Sequence, residues 1–262
     1  MTADLFRLDG STAFVSGAAG HLGRVMALAL AGAGAHVVLN GRDPEPLAAF
    51  AEELRRAGIS CECAAFDVTD TARVRDFFAR RERIDVLVNN AVTMAPKPFA
   101  ALTPEDFTTT YASSVSAAFE VVRAALPGLR RAATIAGEAR IVNIASMYAL
   151  ISPDKRIYAK PEQASPFHYG PAKAALLQLT RHLAAEFGRE NIRVNALVPG
   201  PFPKRQIMTD DPSFAGRLAD RTMLGRLGAA DEIAGPLLFL ATKASSYVTG
   251  ACIAVDGGWT AW

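Results

Sequence analysis

The sequence predicts an α/β chain, a doubly wound, seven-stranded parallel sheet with helices on both faces. Two observations carry that expectation. Short runs of apolar and β-branched residues alternate with longer stretches in which apolar residues recur every three or four positions. The strand-like runs are apolar without alternation, as in Val86-Leu87-Val88. That is the pattern of parallel strands covered on both sides by helices.

In chain order, the strand-like runs are 12–16, 36–40, 61–66, 84–89, 140–145, 192–198 and 251–255. Residues 22–31, 44–57, 104–126 and 171–187 show the helical period. No internal repeat or Ser/Gly-rich linker divides the chain, so residues 1–262 read as one domain. Residues 151–167 break the pattern, with Pro153, Pro161 and Pro166 among scattered charges. A long loop of this kind inside a compact domain is often a functional lid.

Bulk properties exclude several classes. A chain of 262 residues with 50% hydrophobic content can bury a large core. The net charge is +2 and no basic block concentrates it, so nucleic acid is not an expected partner. The first residues lack a signal-peptide pattern and the apolar runs are too short for a bilayer, which predicts a cytoplasmic protein without a membrane partner. Cys61, Cys63 and Cys252 make no disulfide framework. The four histidines, His21, His36, His168 and His182, do not cluster with carboxylates at ligand spacing, so no metal is expected.

The first predicted strand runs into Ser16-Gly17-Ala18-Ala19-Gly20-His21-Leu22-Gly23, and a helix follows at once. Small residues there let the backbone approach a pyrophosphate, and the helix N-terminus supplies free N–H groups. Such a turn also occurs without a ligand; its place in the first βα unit favours phosphate. The second strand ends at Asn40-Gly41-Arg42 with no acid to bind a ribose hydroxyl. Arg42 suits the 2′-phosphate of NADP, which favours NADP(H) over NAD, although Asp43 beside it could neutralise the cation. Asp67-Val68 and Asn89-Asn90-Ala91 end the third and fourth strands, where ligands sit in open α/β sheets. Each could equally be a turn or cap.

Tyr169 and Lys173 stand four apart and share a helix face. A lysine cation near a phenol stabilises the phenolate, which predicts a lowered Tyr169 pKa and a group able to exchange a proton with a carbonyl or alcohol oxygen. Ser146, just past the fifth strand, can hydrogen-bond the same oxygen.

Over residues 8–258 these pieces, with Asn195-x-x-x-Pro199-Gly200, Thr249-Gly250 and Asp256-Gly257-Gly258, resemble in content and order the classical short-chain dehydrogenases/reductases. The resemblance implies a Rossmann-like fold and hydride transfer at a nicotinamide. It makes Tyr169 the acid/base, Ser146 the ligand of the substrate oxygen and Lys173 the ligand of the nicotinamide ribose. Cofactor contacts would come from Ser16, Gly17, Ala19, His21, Leu22, Gly23, Arg42, Asp67, Val68, Asn90, Ala91, Pro199 and Gly200. It also implies a substrate lid near 201–224, written in the sequence as an exposed, flexible loop, and a homodimer or homotetramer built from the helices around 104–126 and 171–187.

Four departures from the family pattern stand out. His21 replaces a glycine and must swing aside or bond phosphate. Val92 replaces the glycine after Asn89-Asn90-Ala91. Ser114 falls where the family has an asparagine supporting the lysine through a water, and the bland reading is a small-residue helix face. Ser146 and Tyr169 are 23 positions apart, and the extra residues form the 151–167 insert with Asp154, Arg156, Tyr158 and Lys160. Such polar residues suit a sugar-like or anionic substrate as well as a solvated loop. The expected function is an NAD(P)-dependent oxidoreductase acting on a small carbonyl or alcohol compound. The alternatives are an epimerase or dehydratase with transient oxidation, or a catalytically weakened dinucleotide-binding regulatory protein.

Overall fold

The computed structural model describes residues 3–159 and 164–262. The strands are β1 (Thr12–Val15), β2 (His36–Gly41), β3 (Cys61–Ala65), β4 (Val86–Asn89), β5 (Ala139–Ile144), β6 (Ile192–Pro199) and β7 (Cys252–Val255). They form one seven-stranded sheet in the order β3-β2-β1-β4-β5-β6-β7. Every neighbouring pair is parallel. The chain builds outward from β1 to β3, then returns to lay β4 on the other side of β1. That reversal opens a crevice beyond the carboxyl ends of β1 and β4, where ligands of such sheets bind.

Alternation along β1 shows how the two faces are filled. Ala13 and Val15 join one apolar layer with Met26, Leu30 and Phe50. These come from helices α1 (His21–Gly32) and α2 (Pro44–Arg56). Phe14 joins the opposite layer with Phe78, Val121, Leu129 and Phe187. This second layer is supplied by α3 (Thr71–Ala79), α5 (Ala117–Ala136) and α6 (Tyr169–Phe187). Both faces of the inner strands are therefore covered, which explains their unbroken apolar runs.

Two sequence expectations change, and one further helix was not expected. The helix expected over 104–126 is broken: α4 (Pro104–Tyr111) passes through a π turn at Ala112–Ser116 into α5, which runs on to Ala136. The Ser113 and Ser114 hydroxyls both donate to the Thr110 carbonyl at this point, 3.2 and 2.5 Å away. The 201–224 segment is not an irregular loop, since it contains α7 (Arg205–Asp210) and α8 (Pro212–Ala219). Finally, α9 (Ala234–Ala241) packs on the first layer through Leu237 and Leu240. It is apolar around most of its circumference, so it carries no amphipathic period to read.

Candidate active site

The crevice beyond β1 and β4 is a cavity of about 770 Å³. Gly17, Ala19, His21, Leu22 and Gly23 form one wall. Gly17 has φ +64, a left-handed conformation that favours glycine. A Cβ added at Gly23 would lie 2.0 Å from the Gly17 carbonyl oxygen, so turn and helix approach as closely as backbone allows. A cradle this tight, ending on a helix N-terminus, fits a dinucleotide pyrophosphate. His21 stands on this same wall, at the first position of α1, and its Nε2 is buried without a hydrogen-bond partner.

Ser16 is an exception among the residues expected to meet the cofactor. It is buried and does not line the cavity. Its Oγ accepts from the Asn90 and Ala91 amides at 2.9 and 3.1 Å and donates to the Val88 carbonyl at 3.3 Å. The Asn90 side-chain amide returns the tie by donating to the Ser16 carbonyl at 2.9 Å. Ser16 thus clamps the glycine turn to the end of β4, while Asn90 and Ala91 themselves line the cavity.

At the far end of the cavity stand Arg42, Asp67 and Val68. Asn40 is absent from this wall because its side-chain amide donates to the Ala64 and Phe66 carbonyls, fastening β2 to β3. Arg42 is exposed, and its Nη1 reaches the Thr93 Oγ1 at 3.2 Å. Asp67 accepts from the Thr69 amide and hydroxyl through Oδ1, both at 2.8 Å, which sets its carboxylate in a local turn.

Ser146, Tyr169 and Lys173 meet on the opposite wall, with Pro199 and Gly200 closing one side. Gly200 is required by packing, since a Cβ there would lie 2.5 Å from Asp256 Cα. Asp256 in turn accepts from the Gly258 and Thr260 amides, which explains the Asp256-Gly257-Gly258 run. Lys173 is 2% exposed and donates from Nζ to the Ile144 carbonyl at 2.6 Å. Its Nζ lies 5.7 Å from the Tyr169 ring centre. Burial pulls the Lys173 pKa down to about 8. For Tyr169 the sequence expectation is corrected: burial holds its phenol above the ordinary value, and the Ser146 hydroxyl draws it partly back. Desolvation outweighs the Ser146 hydrogen bond.

Ser114 does not line this cavity either. It is buried in the π turn with its hydroxyl on the Thr110 carbonyl. Its neighbour Ser113 does line the cavity and accepts from the Thr93 amide at 2.9 Å. Thr93, Met94, Phe202 and Lys204 also line it, as do Asp43 and Pro46 beside Arg42, and none of these was an expected cofactor or catalytic residue. Val92 also faces the cavity, beside Ala91.

Among the described residues of the 151–167 insert, Ile157 and Tyr158 are fastened to α8, while Lys155 and Arg156 are exposed. Ile157 is buried in a cluster with Met147, Leu218 and Trp259. Arg217 of α8 donates from Nε to the Ile157 carbonyl at 2.7 Å. The Tyr148 and Tyr158 hydroxyls are 2.7 Å apart, and Tyr158 packs on Phe214 with ring centres 5.6 Å apart. None of the described insert residues lines the cavity; Lys160 and Pro161 lie outside the described residues.

Comparison with known proteins agrees with this geometry. The family model described as enoyl-(acyl carrier protein) reductase matches residues 17–260. Gluconate 5-dehydrogenase of Gluconobacter oxydans (strain 621H) is 35% identical over 98% of this chain and 97% of its own length. Galactitol 2-dehydrogenase (L-tagatose-forming) of Cereibacter sphaeroides is 37% identical over 98% of each chain. Among solved structures, a gluconate 5-dehydrogenase from Burkholderia cenocepacia J2315 in complex with NADP and tartrate has a TM-score of 0.86 and 34% identity, covering 100% of both chains.

Proposed function

Because the chain belongs to the short-chain dehydrogenase/reductase family, we propose that it interconverts a secondary alcohol and a ketone on a polyol or sugar acid, using NADP(H). The observation that carries this reading is the convergence of Ser146, Tyr169 and Lys173 on the cavity that also holds the glycine cradle. When bound, the nicotinamide supplies the hydride acceptor or donor. The protein's own groups handle the proton. Tyr169 Oη takes the alcohol proton during oxidation and returns it to the ketone oxygen during reduction. Ser146 Oγ donates to that same oxygen and holds the reacting carbon in place. Lys173 contributes a buried ammonium that favours the phenolate and binds the nicotinamide ribose.

Gly17, Ala19, His21, Leu22 and Gly23 hold the pyrophosphate, Asp67 and Val68 the adenine, and Asn90, Ala91, Pro199 and Gly200 the nicotinamide half. Arg42 receives the 2′-phosphate, supported by its place on the cavity wall and by the absence of a carboxylate from Asn40 and Gly41. Ser114, held on the Thr110 carbonyl, supports the proton path by shaping the π turn rather than by touching substrate. The insert and α8 act as one cover, and a polar substrate is supported by the relatives that act on gluconate and galactitol.

The test is a spectrophotometric screen of the purified protein with gluconate, galactitol and related polyols and their keto forms, each with NADP(H) and NAD(H). The proposal expects net reduction of NADP+ by at least one polyol or sugar acid. Substrate conversion without net change in the nicotinamide would instead identify an epimerase or dehydratase, and no conversion of any compound would contradict the assignment.

A further inference from the structure

The segment between β4 and α4, residues 90–98, has no regular structure, yet Thr93 and Met94 wall the cavity beside Tyr169. A loop without a ladder of its own is held by side chains or not at all. Ser16 holds its start at Asn90 and Ala91, and Ser113 and Thr110 hold Thr93, while one histidine reaches further along it to Ala95. His168 immediately precedes Tyr169 and is 2% exposed. Its Nε2 is 3.3 Å from the Ala95 carbonyl oxygen, and its Nδ1 is 2.8 Å from the Thr110 Oγ1. A carbonyl can only accept, so Nε2 carries a proton and donates to Ala95. The Thr110 Oγ1 lies 3.0 Å from the Thr93 carbonyl, and the Thr110 carbonyl accepts the Ser113 and Ser114 hydroxyls. The Phe107 ring stands edge-on to the imidazole with centres 6.0 Å apart and closes the pocket.

We infer that His168 is a positioning residue that latches the 93–95 loop and the π turn to the first turn of α6, fixing Tyr169 against the wall that receives the nicotinamide. The inference rests on the proposed role of Tyr169. His168 itself does not line the cavity and touches neither substrate nor cofactor. Its two ring nitrogens join the first turn of α6 to two other segments at once: Ala95 in the loop and Thr110 at the end of α4. A loss of either bond loosens the loop around Ala95 while the Ser16 and Ser113 ties and the sheet remain, so the consequence falls on the geometry of proton transfer more than on stability.

The test compares His168→Leu, which removes both bonds, His168→Gln, which keeps an amide donor for Ala95, and Thr110→Val, which cuts the network from the other side. Hydrogen exchange of the amides over 91–97 is followed by mass spectrometry in the protein without substrate. Exchange is expected to accelerate about 10-fold in the Leu and Val variants, as for the loss of one buried hydrogen bond, and less in the Gln variant. With the best substrate from the screen, kcat falls by about the same factor in the Leu and Val variants, the Kd for NADPH by fluorescence changes far less, and His168→Gln recovers part of kcat. Unchanged exchange in folded Leu and Val variants would overturn the latch, as would a lowered Tm with kcat intact. If the wild type converts no compound, the proposed function fails, and the exchange measurement still decides whether the latch exists.

Discussion

Lys173 holds its ammonium 5.7 Å from the centre of the Tyr169 ring while giving a hydrogen bond to the Ile144 carbonyl at 2.6 Å. The site therefore keeps a buried cation poised for a phenolate, and the fold bears the cost. The folded pKa of about 8 lies below the ordinary value of 10.5. Below pH 8 the penalty is complete. As pH rises from about 8 toward 10.5, the folded protein releases this proton before the unfolded chain does, and stability rises. The gap corresponds to about 3 kcal/mol. Lys173→Met is expected to raise the Tm of the cofactor-free protein at pH 7 by about 5 °C or more, with the advantage fading by about pH 10. A lower Tm at pH 7 would mean that the bond to Ile144 outweighs desolvation.

On the proposed assignment, the same groups set the pH dependence of turnover. Burial raises the Tyr169 phenol, so the proton-accepting form becomes more abundant as pH rises above neutral. Oxidative kcat/KM is expected to climb across alkaline pH, while reductive kcat/KM is level near neutrality and declines over the same range. Profiles measured in both directions check this, and two parallel profiles would be inconsistent with one group acting as both acid and base.

Arg42 lines the cavity next to Asp43, with no acid at Asn40 or Gly41. Arg42→Ala is expected to weaken NADPH about 10- to 100-fold, the range for losing charge-assisted hydrogen bonds, and NADH about 2-fold or less. Equilibrium fluorescence titration with both nucleotides measures it. Equal losses would remove the 2′-phosphate from this position.

Arg217 couples the lid to the insert through the Ile157 carbonyl. Arg217→Ala is expected to raise the substrate KM about 10-fold by loosening the cover, with the NADPH Kd near wild type. Steady-state kinetics and cofactor titration separate the two quantities. A large loss of NADPH affinity would make the insert part of the cofactor site instead.

Much of this was legible in the sequence for a physical reason. Parallel strands buried on both faces must be apolar throughout, so Val86-Leu87-Val88 announced itself, and the Tyr169–Lys173 spacing fixes both side chains on one turn of α6. What escaped notice depends on contacts between distant segments. The π turn at Ala112–Ser116 packs Val115 against Leu176 of α6, a contact between distant segments that no local period encodes. Ser16 reads as a cofactor residue until its hydroxyl is seen serving Asn90 and Ala91. His168 gave one signal, its place directly before Tyr169, and its partners Ala95 and Thr110 are more than fifty positions away. The Tyr169 pKa was misread because the sequence shows the nearby lysine but not the depth of burial.

The central claim is that Tyr169 carries the proton. Tyr169→Phe, assayed with the best polyol and NADP+ from the screen and titrated with NADPH in parallel, tests it most directly. The account predicts kcat reduced by about 100-fold or more with NADPH affinity within a few-fold of wild type, the usual scale for removing a general acid/base. Full turnover by a variant that still binds NADPH would contradict it.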